Sequence, residues 1–290
     1  MMKTLGIIIP CFNESKNLEE NITKKLIPNL ENIKNNYKIK VLLVDDGSLD
    51  NSWKVIKNLS KKYKIIEGVK IIKNFGKDKS VLATIIKFDF DIYMTVDSDD
   101  EHPFNYINKF LNEYVKGNNL VIGVRNRYGH SLLRKFYSLV YNLIYKVLMG
   151  SKIPLYTTDF RLFTKEIKLL STKYFFKPLY YKSLFNSLYI PVKYIYFDSN
   201  KNKNKKSSFN FFILFDSALS NLTYYNLRPL KIIQFSIIFI IPLLFLFRSI
   251  ELILFSLFIL ISLLLFYFKN LYEAHMFNLE NIIEEITYEI

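Results

Sequence analysis

The stretch D-I-Y-M-T-V-D-S-D-D, residues 91–100, decides the fold. It begins as a short apolar run and changes at once into carboxylates. A short apolar run with such an end is typical of a strand that is buried on both faces. Similar runs occupy residues 4–10, 39–45, 69–73 and 120–125, with helical stretches between them. Strands that alternate with helices predict an α/β fold with a largely parallel sheet.

Polar residues collect immediately after these strands. A parallel α/β sheet binds its ligands beyond the carboxyl ends of its strands. Loop solvation also places polar residues there, but it does not explain so many carboxylates in a chain of net charge +14. The pattern therefore predicts a ligand site at this edge of the sheet. Its candidate residues are Asn13, Glu14, Asp45, Asp46, Asp97, Asp99 and Arg125.

Asp97 and Asp99 are two residues apart at the end of a strand, so in extended backbone their side chains share one face. Two neighbouring carboxylates repel each other unless a cation lies between them. A hard divalent cation takes one or two carboxylates and completes its shell with water and phosphate oxygens. The pair predicts a site for a hard divalent cation that is bound together with a diphosphate. The neighbouring His102 is interpreted as a solvated loop residue.

Composition limits the class of protein. The chain has 290 residues, of which 50% are hydrophobic, and a single cysteine, Cys11. One cysteine excludes a disulfide scaffold, and the many aromatic residues exclude general disorder. The net charge of +14 favours an anionic partner. Nucleic acid is disfavoured as that partner, because the sequence contains no aromatic-basic recognition motif.

Two long apolar runs lie near the C-terminus. Between Lys231 and Arg248 there are 16 uncharged residues, and between Glu251 and Lys269 there are 17. Flanking basic side chains can extend such runs toward the roughly 20 residues of a membrane-spanning helix. We predict two transmembrane helices in residues 228–268, with a buried hairpin of a soluble domain as the alternative. The distribution of basic residues predicts an integral membrane protein with its globular part and both termini in the cytoplasm.

The flanks of this hairpin differ in character. Residues 207–227 read equally well as an amphipathic helix lying along the membrane and as an ordinary half-buried helix. Residues 269–290 contain five glutamates after Lys269 and no further lysine or arginine, so they are expected to form an acidic cytosolic tail.

Six short motifs occur in a specific order, and together they resemble the family 2 glycosyltransferases. Their order and spacing indicate the branch that transfers sugars to polyprenyl phosphates such as dolichyl or undecaprenyl phosphate. The motifs are P-C-F-N-E at 10–14, V-D-D-G-S at 44–48, N-F-G-K at 74–77, V-D-S-D at 96–99, R-N-R at 125–127 and D-F-R-L-F at 159–163.

The resemblance implies a GT-A domain over residues 1–206, a nucleotide-diphosphate sugar donor and a magnesium or manganese ion. It also implies inversion at the sugar carbon and a polyprenyl phosphate acceptor at the membrane. The residues that it assigns to the base and ribose are Pro10, Phe12, Glu14, Val44 and Asp46. Those that it assigns to the metal and diphosphate are Asp97, Ser98 and Asp99, with Glu101 near the metal.

The remaining assignments concern the acceptor and the transfer step. By resemblance, Arg125 contacts the donor phosphates or sugar, and Asp159 lies near the transfer site, braced by Arg161. Arg134 and Ser138 are four residues apart, so on a helix they share one face and can bind the acceptor phosphate. Asp99, Asp159, Arg134 and Ser138 form the predicted catalytic set.

One loop departs from the pattern of the branch. Residues 199–209 lack the expected arginine and glycine, and Lys203, Lys205 or Lys206 is left to supply positive charge to the donor. A lysine offers a point charge instead of the two-pronged contact of an arginine. The alternatives are a transferase acting on another lipid or lipid-linked saccharide and a non-catalytic membrane scaffold. The oligomeric state is open, a homo-oligomer included.

Overall fold

The computed structural model describes residues 2–98, 102–126, 156–174, 190–198 and 283–287, together with single positions between 254 and 268. The chain divides into two units. One contains Met1–Tyr128, Pro154–Lys205 and Asn278–Ile290, and the other contains Gly129–Ile153 and Lys206–Phe277.

The first unit is built on a sheet whose eight described strands have the order β7-β5-β6-β4-β1-β2-β3-β8. Four of the seven strand pairs are parallel: β1 with β2, β2 with β3, β1 with β4 and β5 with β7. In chain order the strands are β1 (Lys3–Cys11), β2 (Tyr37–Asp45), β3 (Ile66–Ile71), β4 (Ile92–Thr95), β5 (Leu120–Asn126), β6 (Thr157–Thr164), β7 (Lys193–Asp198) and β8 (Ile283–Ile286).

Helices connect the parallel strands. α1 combines the segments Leu18–Glu20, Asn21–Leu26 and Ile27–Glu31, of which the middle one is π-helical. The other described helices are α2 (Ser52–Lys62), α3 (Lys77–Lys87), α4 (Ile107–Val115) and α5 (Lys165–Tyr174). The sequence predicts the first of these helices from Ser15 with Ser15 as its cap. That prediction is wrong, because the cap position is Asn17 and the Ser15 amide instead donates to the Asp50 carboxylate at 3.1 Å.

The central strands are buried on both faces. Seven consecutive residues of β1 are buried, and all four residues of β4 are buried. Strands covered by helices on both faces need apolar side chains at every position instead of alternate ones. The predicted α/β fold with a mostly parallel sheet is confirmed.

The strand β8 is a feature that the sequence does not predict. It comes from the acidic segment 269–290 and pairs antiparallel with β3, with Val69 opposite Ile286. The Gly68 amide donates to the Thr287 hydroxyl oxygen at 2.6 Å, and Lys70 pairs with Glu284 at 2.9 Å. This part of the segment is therefore not a free tail, because it forms the edge strand of the sheet.

The predicted membrane hairpin, residues 228–268, lies almost wholly outside the described residues, and the predicted juxtamembrane helix 207–227 lies outside them entirely. Within the part of the chain that the structure describes, no helix combines the length and apolar character needed to cross a bilayer. The described positions between 254 and 268 are helical, and their apolar side chains are solvent-exposed.

Candidate active site

A cleft of about 190 Å³ opens at the carboxyl ends of β1, β2 and β4. The strand order reverses here, since β1 continues to β2 on one side and to β4 on the other. Such a reversal opens a crevice for a ligand in α/β sheets. The cleft is lined by Pro10, Cys11, Phe12, Glu14, Asp46, Lys77, Asp97 and Ser98.

One wall of the cleft is the turn that follows β2. Asp46 is buried, and its Oδ1 accepts a hydrogen bond from the Phe75 amide at 3.2 Å and another from the Ser80 hydroxyl. Burial raises the pKa of Asp46 from its ordinary value of 3.8, although these hydrogen bonds act in the opposite direction. Gly47, at a φ of +67°, makes the turn, and a Cβ there would lie 2.3 Å from the Asn74 nitrogen. The turn and the loop before α3 are therefore in close backbone contact.

A second loop, after β1, carries Phe12 and Glu14 into the cleft. It is fixed by Asn13, whose φ is +54°. The Asn13 amide donates to the Ser48 hydroxyl oxygen at 3.0 Å, and the Leu49 amide donates to the Asn13 Oδ1 at 2.9 Å. The loop thereby presents Phe12, whose side chain is 42% exposed, beside the Asp46 wall. An exposed ring next to buried acceptors suits a flat, polar ligand such as a nucleotide base.

The opposite wall carries charge. The Lys77 ammonium, on the first residue of α3, contacts the Asp97 carboxylate and lies 3.0 Å from Asp159 Oδ2. Burial alone would lower the pKa of Lys77, but the charges of Asp159 and Asp97 outweigh it and raise the pKa. Burial alone would raise the pKa of Asp97, but the charge of Lys77 outweighs this effect, so the pKa of Asp97 is lowered. Lys77 and Asp97 are therefore both ionised at neutral pH.

His102 lies behind this wall and is only 1% exposed, so its interpretation as a solvated loop residue is wrong. Its ring stacks on Phe160 with 5.2 Å between centroids, and Phe197 packs against its edge. Burial lowers the pKa of His102 despite the nearby Asp97 charge. The neutral ring accepts a hydrogen bond at Nδ1 from the Asp97 amide at 3.0 Å. His102 therefore fixes the backbone of Asp97.

Arg161 lies beneath the site in β6 and is fully buried. Its Nε donates to the Thr158 carbonyl at 3.0 Å, and its Nη2 lies 3.8 Å from Asp159 Oδ1. The bracing role that the resemblance assigns to Arg161 stays a prediction, and the structure places its guanidinium next to Asp159. The π-helical segment of α1 supports the cleft from the other side, because Asn21 donates to the Ser98 carbonyl at 2.8 Å.

The structure brings together six of the residues that the resemblance assigns to the donor. Pro10, Phe12, Glu14, Asp46, Asp97 and Ser98 all line the cleft. Val44 differs, because its side chain is fully buried in β2 and is not part of the lining. Asp159 is linked to the cleft by its ion pair with Lys77. Arg125 lies near the end of β5. The predicted residues Asp99, Glu101, Arg134, Ser138, Lys203 and Lys206 lie outside the described residues.

Lys77 is the site residue that the sequence reasoning missed. The signal was present, because the N-F-G-K motif ends on it, but nothing in that motif shows that the lysine points at carboxylates 20 and 82 residues away. His102 was missed as a structural partner of Asp97 for a similar reason, since Phe160 and Phe197 are remote in sequence.

The residues present are compatible with a divalent ion. Asp97 and Asp159 already converge on one cation, Lys77, and a magnesium site needs only one or two carboxylates in addition to phosphate oxygens and water. Within the described ranges, no group of three or more histidine, cysteine or acidic side chains forms a metal cage. A metal held jointly with a phosphate ligand suits this donor set better than a metal bound by protein alone.

Comparison with known proteins agrees with the fold and the motifs. The family described as glycosyl transferase family 2 matches residues 6–169. The chain belongs to this glycosyltransferase family.

Curated relatives are similar to this glycosyltransferase over most of its length, although their sequence identity is low. The glycosyltransferase CsbB of Bacillus subtilis (strain 168) is 27% identical over 82% of the chain and 72% of CsbB. The bactoprenol glucosyl transferase of Shigella phage SfX is 24% identical over 84% of the chain and 80% of the phage protein. Among solved structures, glucosyl-3-phosphoglycerate synthase of Mycobacterium tuberculosis, in complex with Mn²⁺, UDP-glucose and phosphoglyceric acid, has a TM-score of 0.54. It is 15% identical and is matched over 76% of the chain and 78% of the synthase, which shows a shared fold.

Proposed function

We propose that this glycosyltransferase moves a sugar from a nucleotide-diphosphate sugar to a polyprenyl phosphate at a membrane surface, with inversion at the sugar carbon. One observation carries the proposal. A single cleft joins an exposed aromatic ring and a hydrogen-bonded acid on one wall to a cation-bound pair of carboxylates on the other. A ligand with a flat base at one end and a diphosphate with its metal at the other matches both walls.

The base and ribose belong to the first wall. Phe12 offers its ring to the base, while Glu14 and Asp46 offer acceptor oxygens to polar groups of the nucleotide. Asp46 is already fixed by the Phe75 and Ser80 donors, so it changes little when a ligand arrives. This wall therefore binds and orients the donor.

The diphosphate belongs to the second wall, where Asp97, with Asp99 and Glu101, would hold a magnesium or manganese ion. When bound, the metal neutralises the charge that develops on the leaving nucleotide diphosphate. The fold of the Mycobacterium tuberculosis synthase, whose structure contains Mn²⁺ and UDP-glucose, supports this placement of a metal in the same architecture.

The acceptor phosphate needs little activation. The second pKa of a phosphate monoester is about 6, so the nucleophile is an anion near neutral pH. One of its oxygens attacks the sugar carbon, a new carbon–oxygen bond forms, and the bond to the nucleotide diphosphate breaks. The task of the protein is to position the two anions. Arg134 and Ser138, aided by Lys203, Lys205 or Lys206, would hold the acceptor, and Asp159 borders the transfer point.

The membrane setting rests on the sequence and on the name of one relative. Bactoprenol is a polyprenyl carrier, and the phage bactoprenol glucosyl transferase resembles most of this chain. The apolar runs in 228–268 would anchor the protein, and exposed Leu254, Phe258 and Leu265 present apolar surface that lipid would cover. From the bias of basic residues we propose that the catalytic unit and both termini lie in the cytoplasm.

The test is transfer of radiolabelled sugar by membranes that contain the full-length protein and have been washed at alkaline pH to remove peripheral proteins. The membranes receive a panel of labelled nucleotide sugars, Mg²⁺ or Mn²⁺, and undecaprenyl phosphate. We expect one donor to label the lipid phosphate, and Asp99→Ala to abolish the labelling because the metal–diphosphate loses its ligand.

Glu31→Ala, which changes an exposed acid at the end of α1 that is not part of the cleft lining, is the matched control and should keep full activity. Diacylglycerol and a lipid-linked saccharide serve as alternative acceptors. Labelling of either of these instead of undecaprenyl phosphate would overturn the proposed acceptor. Full activity in Asp99→Ala would overturn the metal site. Transfer activity that the alkaline wash removes from the membranes would overturn integral membrane attachment.

A further inference from the structure

The Lys77 ammonium occupies the place between Asp97 and Asp159 that a metal would also use. It contacts Asp97 Oδ1 and lies 3.0 Å from Asp159 Oδ2, yet its side chain is 38% exposed and lines the donor cleft. The amine therefore belongs to the ionic wall and also faces the space that the donor would fill.

The two carboxylates do not depend on Lys77 equally. Asp159 has a second cation, because Arg161 Nη2 lies 3.8 Å from its Oδ1. In the described part of the chain, Asp97 pairs with Lys77 and contacts the ring of His102, whose Nδ1 accepts the hydrogen of the Asp97 amide and so offers the carboxylate no proton. Asp97 is also the first aspartate of the V-D-S-D motif, residues 96–99, that the proposed function assigns to the metal. The carboxylate that most needs Lys77 is thus the one that a metal would take.

A count of charges shows what a metal would change. Asp97 and Asp159 contribute −2 and Lys77 contributes +1, so this group carries −1 in the described structure. A divalent ion brings it to +1, and the ammonium is then in excess at the carboxylates. The donor diphosphate arrives with negative charge in the same cleft, so the favourable new position of the ammonium is against its oxygens.

We propose that Lys77 is an exchangeable counter-ion: it pairs with Asp97 and Asp159 when no donor is bound and moves to the diphosphate when the metal-bound donor enters. The inference rests on the proposed function, since it assumes a metal–diphosphate ligand. Lysine suits this role because its charge sits on a flexible stem with rotatable donors. The position of Lys77 at the first residue of the eleven-residue helix α3 also suits a diphosphate, because a helix N-terminus favours anions.

The proposal predicts opposite changes in two binding constants when Lys77 becomes Met. Without the ammonium, Asp97 is uncompensated, so Mn²⁺ alone should bind about 10-fold more tightly. Pyrophosphate is measured with EDTA present to remove metal ions. In the variant it loses the Lys77 ammonium as a binding partner, so it should bind about 10-fold more weakly. Mn²⁺ binding is measured by electron paramagnetic resonance and pyrophosphate binding by calorimetry, both on the full-length protein.

Three further variants make the test selective. Lys77→Arg keeps the charge and should restore both constants most of the way to the wild-type values. Lys77→Gln repeats the experiment if the Met variant does not fold. Lys87→Met removes an exposed lysine from the other end of the same helix and should change neither constant. A purely structural role of Lys77 would weaken both ligands together.

The outcomes separate this inference from the proposed function. Unchanged constants, a fall in both, or no pyrophosphate binding by the wild-type protein would overturn the counter-ion role, even if sugar transfer to polyprenyl phosphate is observed. Opposite changes with a different acceptor in the transfer assay would support the counter-ion role and overturn only the proposed acceptor.

Discussion

Asp46 and Asp97 line the same cleft, but the protein holds them in opposite ways. Asp46 accepts hydrogen bonds from the Phe75 amide and the Ser80 hydroxyl, and burial raises its pKa. Asp97 pairs with the Lys77 ammonium, whose charge outweighs burial and lowers its pKa. Two acids at one edge of a sheet thus differ because one has neutral donors and the other has a charged partner.

The difference indicates that the two walls of the cleft have different roles. The partners of Asp46 are parts of the backbone and of α3, so they stay in place whether or not a ligand is bound. The partner of Asp97 is a flexible side chain that can exchange for another cation. The Asp46 wall therefore suits recognition of a donor, and the Asp97 wall suits the step in which charge moves.

Neutralising each acid in turn should give the largest contrast. Asp97→Asn removes the charge that Lys77 and a metal both need, and we expect sugar transfer to fall about 100- to 1,000-fold. Asp46→Asn keeps an Oδ1 that still accepts from Phe75 and Ser80, so the loss should stay below about 10-fold. Initial rates of transfer at saturating acceptor measure both. Equal losses in the two variants would show that the walls do not differ in this way.

The backbone contact behind Asp46 allows a second test with a matched pair of glycines. A Cβ at Gly47 would lie 2.3 Å from the Asn74 nitrogen, whereas a Cβ at Gly76 would have no atom within 4 Å. Both glycines have positive φ, at +67° and +92°. We expect Gly76→Ala to cost about 1 kcal/mol from strain alone and Gly47→Ala about 2–3 kcal/mol from strain and overlap.

Urea unfolding of the two alanine variants measures these free energies. Gly47→Ala should also weaken donor binding more than Gly76→Ala does, because it displaces Asp46 from the Phe75 amide. A smaller loss of stability in Gly47→Ala than in Gly76→Ala would contradict the rigid wall.

The two walls also differ in how far the sequence predicts them. The motifs predicted Pro10, Phe12, Glu14 and Asp46 at one ligand because β1 and β2 each end in a largely apolar, buried run, and these ends meet at one edge of a parallel sheet. The ionic wall depends on Asp159, which lies in β6. This strand runs antiparallel to β4 and was not predicted as a strand. Its charged residues Asp159 and Arg161 interrupt the continuous apolar run by which the parallel strands were recognised.

Strand β3, toward the other edge of the sheet, was also predicted from the sequence only in part. The sequence predicts the third strand over 69–73, but it spans Ile66–Ile71 and includes Glu67 and Gly68, which are poor strand formers. Tertiary contacts compensate, since Lys40 pairs with Glu67 at 3.0 Å and Thr287 bonds to the backbone of Gly68. Thr287 lies 219 residues away, so no local pattern could reveal this support.

The pH dependence of stability gives the smallest and most specific test of the comparison. The pKa of Asp46 is raised above its ordinary value of 3.8, so between these two values the folded state binds more protons than the unfolded state. Stability contributed by Asp46 is thus full below about pH 3.8 and is lost as pH rises through the raised pKa. Asp46→Asn does not titrate, so its stability relative to wild type should improve over that window and level off above it. Urea unfolding of both proteins from pH 3 to 8 measures the difference. A difference that stays flat with pH, or that favours wild type as pH rises, would mean that burial does not dominate the environment of Asp46.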